Sequence, residues 1–231
     1  MAHTTPPSTQ AIFGQIASEN FVQGGGVAIF HLKSARVVIC SAEDRQGRTY
    51  YFLPKGRRDA GEDAGRGAER EGFEESGYRN RLLPLPIPHL QPQAYPRISL
   101  PPLTAEPVWI QFMPLDPARQ YVVYWYIAET IPPALEAELV TARDEPYKAP
   151  PAFPADLTLR QRMAMEEEGY EPVKHEGTGV DEEEAGYKSF LVGLQEAVGL
   201  LGRGGVMADV VLRGWKGVEE RLRAEGDEVV G

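Results

Sequence analysis

Glu71, Glu74 and Glu75 stand at i, i+3 and i+4, behind a basic turn that reads Pro54-Lys55-Gly56-Arg57-Arg58. On a helix this spacing places three carboxylates on one face. Three anions held together repel one another unless something positive lies between them. A hard divalent cation such as magnesium prefers carboxylate oxygen and meets that need. Lys55, Arg57 and Arg58 add positive charge beside the acids, which makes sense if phosphates bridge the two groups. Guanidinium groups clasp phosphate oxygens bidentately. Taken alone, three glutamates on a helix are more often a solvated face, and a basic turn often only offsets its acidic neighbours.

The elements that would hold these residues can be read on either side. Asp63 is a suitable N-cap for a helix carrying the carboxylates, and Gly77 is placed to end it. Gly65, Gly67 and Gly72 weaken that helix, so packing and a bound metal must hold it. Upstream, Gly25 to His31 and Ala35 to Cys40 read as a β-hairpin. Thr49 to Leu53 reads as a third strand that delivers the chain to Pro54. Downstream, Val108 to Met113 and Tyr121 to Ala128 are strand-like. Prolines recur through 84–107 and again through 132–154, so both are read as long connections. A short helix is expected within 155–168. The segment 166–184 is strongly acidic, opposed only by Lys174, and is expected to be a mobile loop.

The run from Gly56 to Tyr78 resembles the Nudix box, G-x5-E-x7-R-E-U-x-E-E-x-G-U, where U is apolar. Gly56 and Glu62 fill the first two fixed positions, Arg70 and Glu71 the RE pair, and Glu74 and Glu75 the EE pair. Gly77 and Tyr78 close it. At roughly 1 in 20 per position, a chance match of this kind is on the order of 10^-7 over the chain. One position departs: Gly72 stands where the family has an aliphatic residue packed on the sheet, and Phe73 is the neighbour that could supply the contact.

The resemblance implies an α/β fold, an α/β/α sandwich around a mixed β-sheet. It covers residues 24–223, with insertions at 84–107 and about 131–184. Tyr187 to Val192 resembles its last strand, and Leu194 to Leu201 and Val206 to Arg223 its closing helices. Residues 1–23 form a tail that can include a first strand, and 224–231 a second tail. The family hydrolyses pyrophosphate bonds in nucleoside diphosphates linked to another moiety. By that resemblance, Glu71, Glu74, Glu75 and the Gly56 carbonyl ligate Mg2+ or Mn2+. Glu71 or Glu75 takes the proton from water, Arg70 orients a metal-binding glutamate, and Glu62 supports the loop–helix joint. Some members recruit another glutamate from a loop before the last strand. Asp181, Glu182, Glu183 and Glu184 all suit that role.

The Leu53-Pro54-Lys55-Gly56 approach resembles hydrolases of dinucleoside polyphosphates and diphosphoinositol polyphosphates. Alternatives are an ADP-ribose or ADP-sugar pyrophosphatase, or a Nudix-fold nucleotide-binding module without catalysis. The retained box glutamates favour an enzyme over the module.

Composition narrows the partners. The net charge is −10 with no basic stripe, which argues against binding of nucleic acid duplexes. Hydrophobic residues, 42% of the 231, are enough for a core. Cys40 is the sole cysteine and ends an apolar run, so it is expected to be a packed thiol in a reducing compartment. Residues 1–20 lack the pattern of a secretory signal, and no apolar run is long enough to span a membrane. The expected location is cytoplasmic or nuclear, and the oligomeric state is open, a homodimer included. Tyr121 to Tyr126, with Trp109 and Phe112, could stack a base but read first as core. His3, His31, His89 and His175 show no metal spacing, and His175 is expected in an exposed loop.

Overall fold

β1 (Phe21–His31) and β2 (Arg36–Glu43) form the expected hairpin, paired at Phe30↔Val37 and His31↔Arg36. Beyond those pairs the two strands part. β3 (Thr49–Phe52) continues along β2, and β4 (Lys55–Arg57) continues along β1. The chain around Pro54 therefore fills the wedge between them, with the Pro54 carbonyl accepting from Val27 N at 3.0 Å. This wedge is what aims the Gly56 turn at the helix that follows. The computed structural model describes residues 13–92, 103–139, 147–180 and 184–227.

The rest of the eight-stranded sheet is mixed. β7 (Gln120–Thr130) runs parallel to β1 from Phe21↔Gln120 to Phe30↔Glu129. β5 (Asn80–Leu82) and β6 (Trp109–Pro114) pair antiparallel with β7, and β8 (Lys188–Gly193) pairs antiparallel with β2. Alternation along β1 assigns the two faces. Val27 and Ile29 pack with Val38, Ala68 and Ala128 under α1 (Ala64–Ser76). Ala28 and Phe30 pack with Val37, Ile39, Ile127 and residues of α4 (Leu194–Leu200) and α5 (Val206–Asp227). Helices therefore cover both faces of a mixed sheet, the α/β architecture expected from the sequence. Each alternate residue of β1 is buried in one layer or the other, a near-continuous apolar run characteristic of a sheet covered on both sides.

Several local expectations change. The first strand begins at Phe21, and α5 continues to Asp227. Residues 132–154 contain α2 (Pro133–Glu138), and the helix expected in 155–168 is limited to α3 (Leu159–Ala164). Thr158 and Gln161 form a reciprocal capping box at the start of α3. Within 84–107, Leu85 is buried and bridges Thr104. The described part of the acidic segment is anchored at several points, while Glu167, Glu168, Glu171 and Glu176 stay exposed. Glu166 is buried against His31 and Arg162, Arg36 pairs with Glu171, and Lys174 bridges Tyr78. Its charge has partners far away in the sequence, which a local charge count does not see. Residues 1–10, including His3, lie outside the described residues, as do 181–183.

Gly72 also resolves differently. A methyl group there would fall 2.6 Å from Asn80 Nδ2 and 2.9 Å from Val27 Cγ1. The glycine lets α1 lie close to β1 and β5, so no apolar side chain is missing. Phe73 faces away from the sheet, with the Arg79 guanidinium 4.5 Å from its ring centroid and Tyr147 and His175 beside it.

Candidate active site

α1 is fixed at both ends by backbone chemistry. Asp63 Oδ1 accepts from Gly65 N at 2.8 Å and Arg66 N at 3.4 Å. Gly77 adopts φ 75°, and its N–H donates to the Phe73 carbonyl at 2.7 Å. Only glycine takes that left-handed cap without strain. His175 N then donates to the Gly77 carbonyl at 2.9 Å, and Thr178 Oγ1 donates to the Glu74 carbonyl at 2.8 Å. The segment 174–178 thus closes over the end of the helix.

The helix presents Glu71 and Glu75, both buried, towards β4. The fit at Gly56 is tight, because a methyl group there would collide with the Glu71 carboxylate. Glu75 Oε2 accepts from Lys55 N at 2.7 Å. Glu184, just before β8, completes a trio with Glu71 and Glu75 whose ligand oxygens lie within 4.8 Å of one another. Among the described residues this is the trio that converges, and Glu74 stands outside it. The Glu74 carboxylate is drawn instead to Arg70, with Oε2 accepting from Nη1 at 2.7 Å.

Arg70 organises the outer side of the cluster. Its Nε and Nη2 donate to the two oxygens of Glu62 at 3.1 and 2.9 Å. Its Nη1 also donates to Glu71 Oε1 at 2.9 Å, and its Nη2 to the Arg57 carbonyl at 2.9 Å. Glu62 Oε2 accepts from Asp59 N at 2.9 Å, which ties the loop to the helix. Three carboxylates, Glu62, Glu71 and Glu74, share this one guanidinium.

The imbalance is visible in the protonation energetics. Burial pushes Glu71 up to about 7, with Arg70 opposing and Glu74 and Glu184 adding to the rise. Burial pushes Glu75 up to about 8, against Lys55 and with Glu71 and Glu184. Desolvation also raises Glu74. A buried carboxylate that holds its proton near neutrality has too little positive charge nearby.

A further buried group points the same way. The Tyr121 hydroxyl is buried and has no hydrogen-bond partner among the described residues. A methyl group on Gly24 would strike both this hydroxyl and the Gly56 carbonyl oxygen, so the two oxygens crowd one point. Burial, then the Glu71 and Glu75 charges, hold the hydroxyl well above its ordinary range, and it remains a proton donor. An orphaned buried hydroxyl is costly unless a ligand or water completes it. The sequence named Tyr121 only as a stacking or core residue. Its place beside Gly24 follows from the register Val22↔Tyr121, Gly24↔Val123, which no local pattern encodes.

The three basic residues have different surroundings. Lys55 Nζ lies 5.8 Å from the Phe52 ring centroid. Arg57 is exposed at the mouth of the turn. Arg58 is tied into the loop, with Nε donating to Gln23 Oε1 at 2.8 Å and Nη1 to the Glu62 carbonyl at 2.9 Å. The histidines lie elsewhere. His31 Nε2 is 2.9 Å from Glu166, and His175 Nε2 is 2.6 Å from Glu136, so His175 is a packed strut rather than an exposed loop residue. Trp125 and Tyr126 are buried, and Trp109 donates to Asp209 at 2.7 Å, while Phe112 is exposed on β6. Cys40 is buried, with Sγ 3.7 Å from the Glu75 carbonyl, and burial raises its thiol well above the ordinary range.

No family model matches the chain, and neither does any curated protein. Among solved structures it is similar to a Nudix hydrolase from Nitrosomonas europaea, at 11% identity and a TM-score of 0.45, over 85% of this chain and 89% of that one. It is similar to a MutT protein from Methanosarcina mazei Go1, at 12% identity and a TM-score of 0.39, over 87% and 96%. It is also similar to a MutT Nudix hydrolase from Burkholderia pseudomallei, at 19% identity and a TM-score of 0.31, over 48% and 67%.

Proposed function

We propose that this chain is a Nudix pyrophosphohydrolase that cleaves a pyrophosphate bond in a nucleotide or polyphosphate substrate with a divalent metal. The observation that carries the proposal is the convergence of Glu71, Glu75 and Glu184 against the Gly56 turn. The donor set fits a hard cation, because it is all oxygen, anionic and short of positive charge. The orphaned Tyr121 hydroxyl beside the Gly56 carbonyl supports the same fit.

Glu71, Glu75, Glu184 and the Gly56 carbonyl would hold Mg2+ or Mn2+, while Glu74 is held by Arg70. When bound, the metal neutralises the diphosphate and lowers the pKa of water. Arg70 fixes Glu71 Oε1, so the orientation of that carboxylate is set before substrate arrives. Lys55 N fixes Glu75 Oε2 in the same way. Glu71 or Glu75 would take the proton from water. Lys55 and Arg57 meet the phosphate chain, and Arg58 holds the turn that carries them. Favoured substrates are dinucleoside polyphosphates and diphosphoinositol polyphosphates.

The test is a panel assayed with magnesium or manganese and products identified by mass. It contains diadenosine tetraphosphate, a diphosphoinositol phosphate, ADP-ribose, NADH and nucleoside triphosphates. Turnover of at least one substrate, abolished by chelation, is expected. Tight binding of one compound with no turnover of any would convert the assignment to a binding module.

A further inference from the structure

The converging carboxylates differ in what holds them. Arg70 Nη1 donates to Glu71 Oε1 at 2.9 Å, and Lys55 N donates to Glu75 Oε2 at 2.7 Å. Both holders stand on the turn and helix that build the cluster. Glu184 lies on neither, and its holder comes from the segment that closes over the end of α1: Val180 N donates to Glu184 Oε2 at 2.8 Å. We infer that Thr178 and Gly179 form a clip that aims the Glu184 carboxylate at the cation site, which makes Thr178 a positioning residue. The inference rests on the proposed hydrolase reading and adds to it the part of the chain that completes the donor set.

The clip has a contact on each side. Thr178 Oγ1 donates to the Glu74 carbonyl at 2.8 Å, which fastens the segment to the helical turn that carries the acids. His175 N, on the Gly77 carbonyl at 2.9 Å, anchors the segment a few residues earlier. Gly179 then lies against the backbone of Glu184. A methyl group there would fall 2.8 Å from the Glu184 carbonyl carbon and 2.9 Å from Ala185 N. Backbone atoms cannot swing aside as the end of a side chain can, so a methyl group at 179 must move Glu184 relative to Thr178. Three consecutive residues thus touch the helix, the Glu184 backbone and the Glu184 carboxylate.

The pairing of β8 with β2 brings residue 184 near α1, but it does not fix where the carboxylate points. Glu184 opens a single helical turn, Glu184–Gly186, just before β8. A glutamate in such a place has many rotamers, and ordering it on cation binding costs entropy. The Val180 N–H orders it beforehand, as outer contacts to metal ligands do. The remaining lone pairs of the carboxylate stay open to a cation. Thr178 has a bland role as well, because it satisfies a carbonyl that the end of α1 leaves without an intrahelical partner. That role accounts for the Thr178 bond alone. It accounts neither for the close approach of Gly179 to Glu184 nor for the Val180 bond in the residue after it.

The test uses the full chain and measures Mn2+ affinity by titration calorimetry, without substrate. Thr178→Val removes the hydroxyl and keeps the shape. Gly179→Ala removes no hydrogen bond and no charge, and Gly179 lies outside the left-handed region, so the alanine adds only the contact with Glu184. Each variant is expected to weaken Mn2+ binding about tenfold, the lower range for loss of an outer contact to a metal ligand. Thr178→Ser is expected to bind as the wild type does. In a Glu184→Ala background, Thr178→Val is expected to have no further effect on Mn2+ binding, because the carboxylate it aims is gone. Equal losses in the two backgrounds, or unchanged affinity in Thr178→Val, leave Thr178 as a helix cap and overturn the clip while the hydrolase reading stands. If Thr178→Val does not fold, Gly179→Ala decides alone, and unchanged affinity there overturns the clip. A wild-type chain that binds no Mn2+ removes the hydrolase reading and the clip together.

Discussion

Two clusters of glutamate are buried in this molecule, and they are balanced differently. Around β7, the two carboxylates share Arg162, and each has a second basic partner. Glu129 pairs with Arg81 at 2.7 Å and Arg162 at 2.8 Å, and Glu166 with Arg162 and His31 at 2.9 Å each. Burial would raise Glu166, and His31 with Arg162 more than reverse it, so it titrates below the ordinary range. Along α1, one guanidinium serves three acids, Glu62, Glu71 and Glu74, and burial holds Glu71 and Glu75 above the ordinary carboxylate range. The first cluster has a cation for each acid, although burial still raises Glu129, and it fastens α3 and the segment after it to the sheet. The second gathers more acid than Arg70 alone can balance. Burial of acid is common to both; the count of partners separates a lock from a site.

The largest expected effect tests the lock. Arg162→Ala leaves Glu129 and Glu166 buried without the guanidinium they share, and should cost about 3–5 kcal/mol. Urea unfolding measures it. A loss below about 1 kcal/mol would show that this network does not hold the insertion in place.

The site should respond in the opposite way. Glu75→Gln and Glu71→Gln are each expected to reduce turnover at least about 100-fold, the lower range for loss of a general base. Neither should lower the stability of the metal-free protein, because each removes an anion from a crowded group. Wild-type turnover in both variants would remove these residues from the mechanism. A large stability loss would make them structural, like Glu129.

The same contrast has a pH signature. Glu71 and Glu75 titrate at about 7 and 8 in the folded chain, above their ordinary value. Between roughly pH 5 and 8 the folded state therefore binds more protons than the unfolded state, and stability falls as pH rises. Metal-free protein should become less stable through that window. Added Mn2+ should stabilise it most at the upper end, where the carboxylates have lost their protons. Thermal melts at pH 5.5, 7 and 8, with and without Mn2+, measure both effects. A metal-free stability that is flat or rising would contradict the crowding.

Much of this site was legible because its residue types are few and their spacing is local. Asp63, Arg70, Glu71, Glu75 and Gly77 all act within one helix and its caps, and a 3.6-residue period relates them. The rest depends on long-range register. Glu184 was one of four adjacent acids, and only the pairing of β8 with β2 brings it to the carboxylates. Gly72 looked like a weakness because the distance from α1 to Asn80 is a tertiary quantity. The segment after Glu166 looked loose because His31, its partner, is 135 residues away. β5, three residues long, was missed because so short a strand has no period to detect.

The smallest effect separates two adjacent arginines that sequence alone treats alike. Arg57 is exposed at the turn, and Arg58 is bonded to Gln23 and to the loop carbonyl of Glu62. Arg57→Ala should raise KM by about two- to fivefold, the scale of one exposed charge contact, and more for highly phosphorylated substrates than for ADP-ribose. High salt should erase most of that difference, because an exposed contact is screened. Arg58→Ala should act through the loop, lowering stability and affecting both substrates equally. Steady-state kinetics on the two substrates at low and high salt distinguishes the roles. If Arg58→Ala instead gave the salt-sensitive, phosphate-dependent change, its hydrogen bonds would have to open in the complex. The phosphate contact would then move one residue along the turn, towards the α1 end of the cluster.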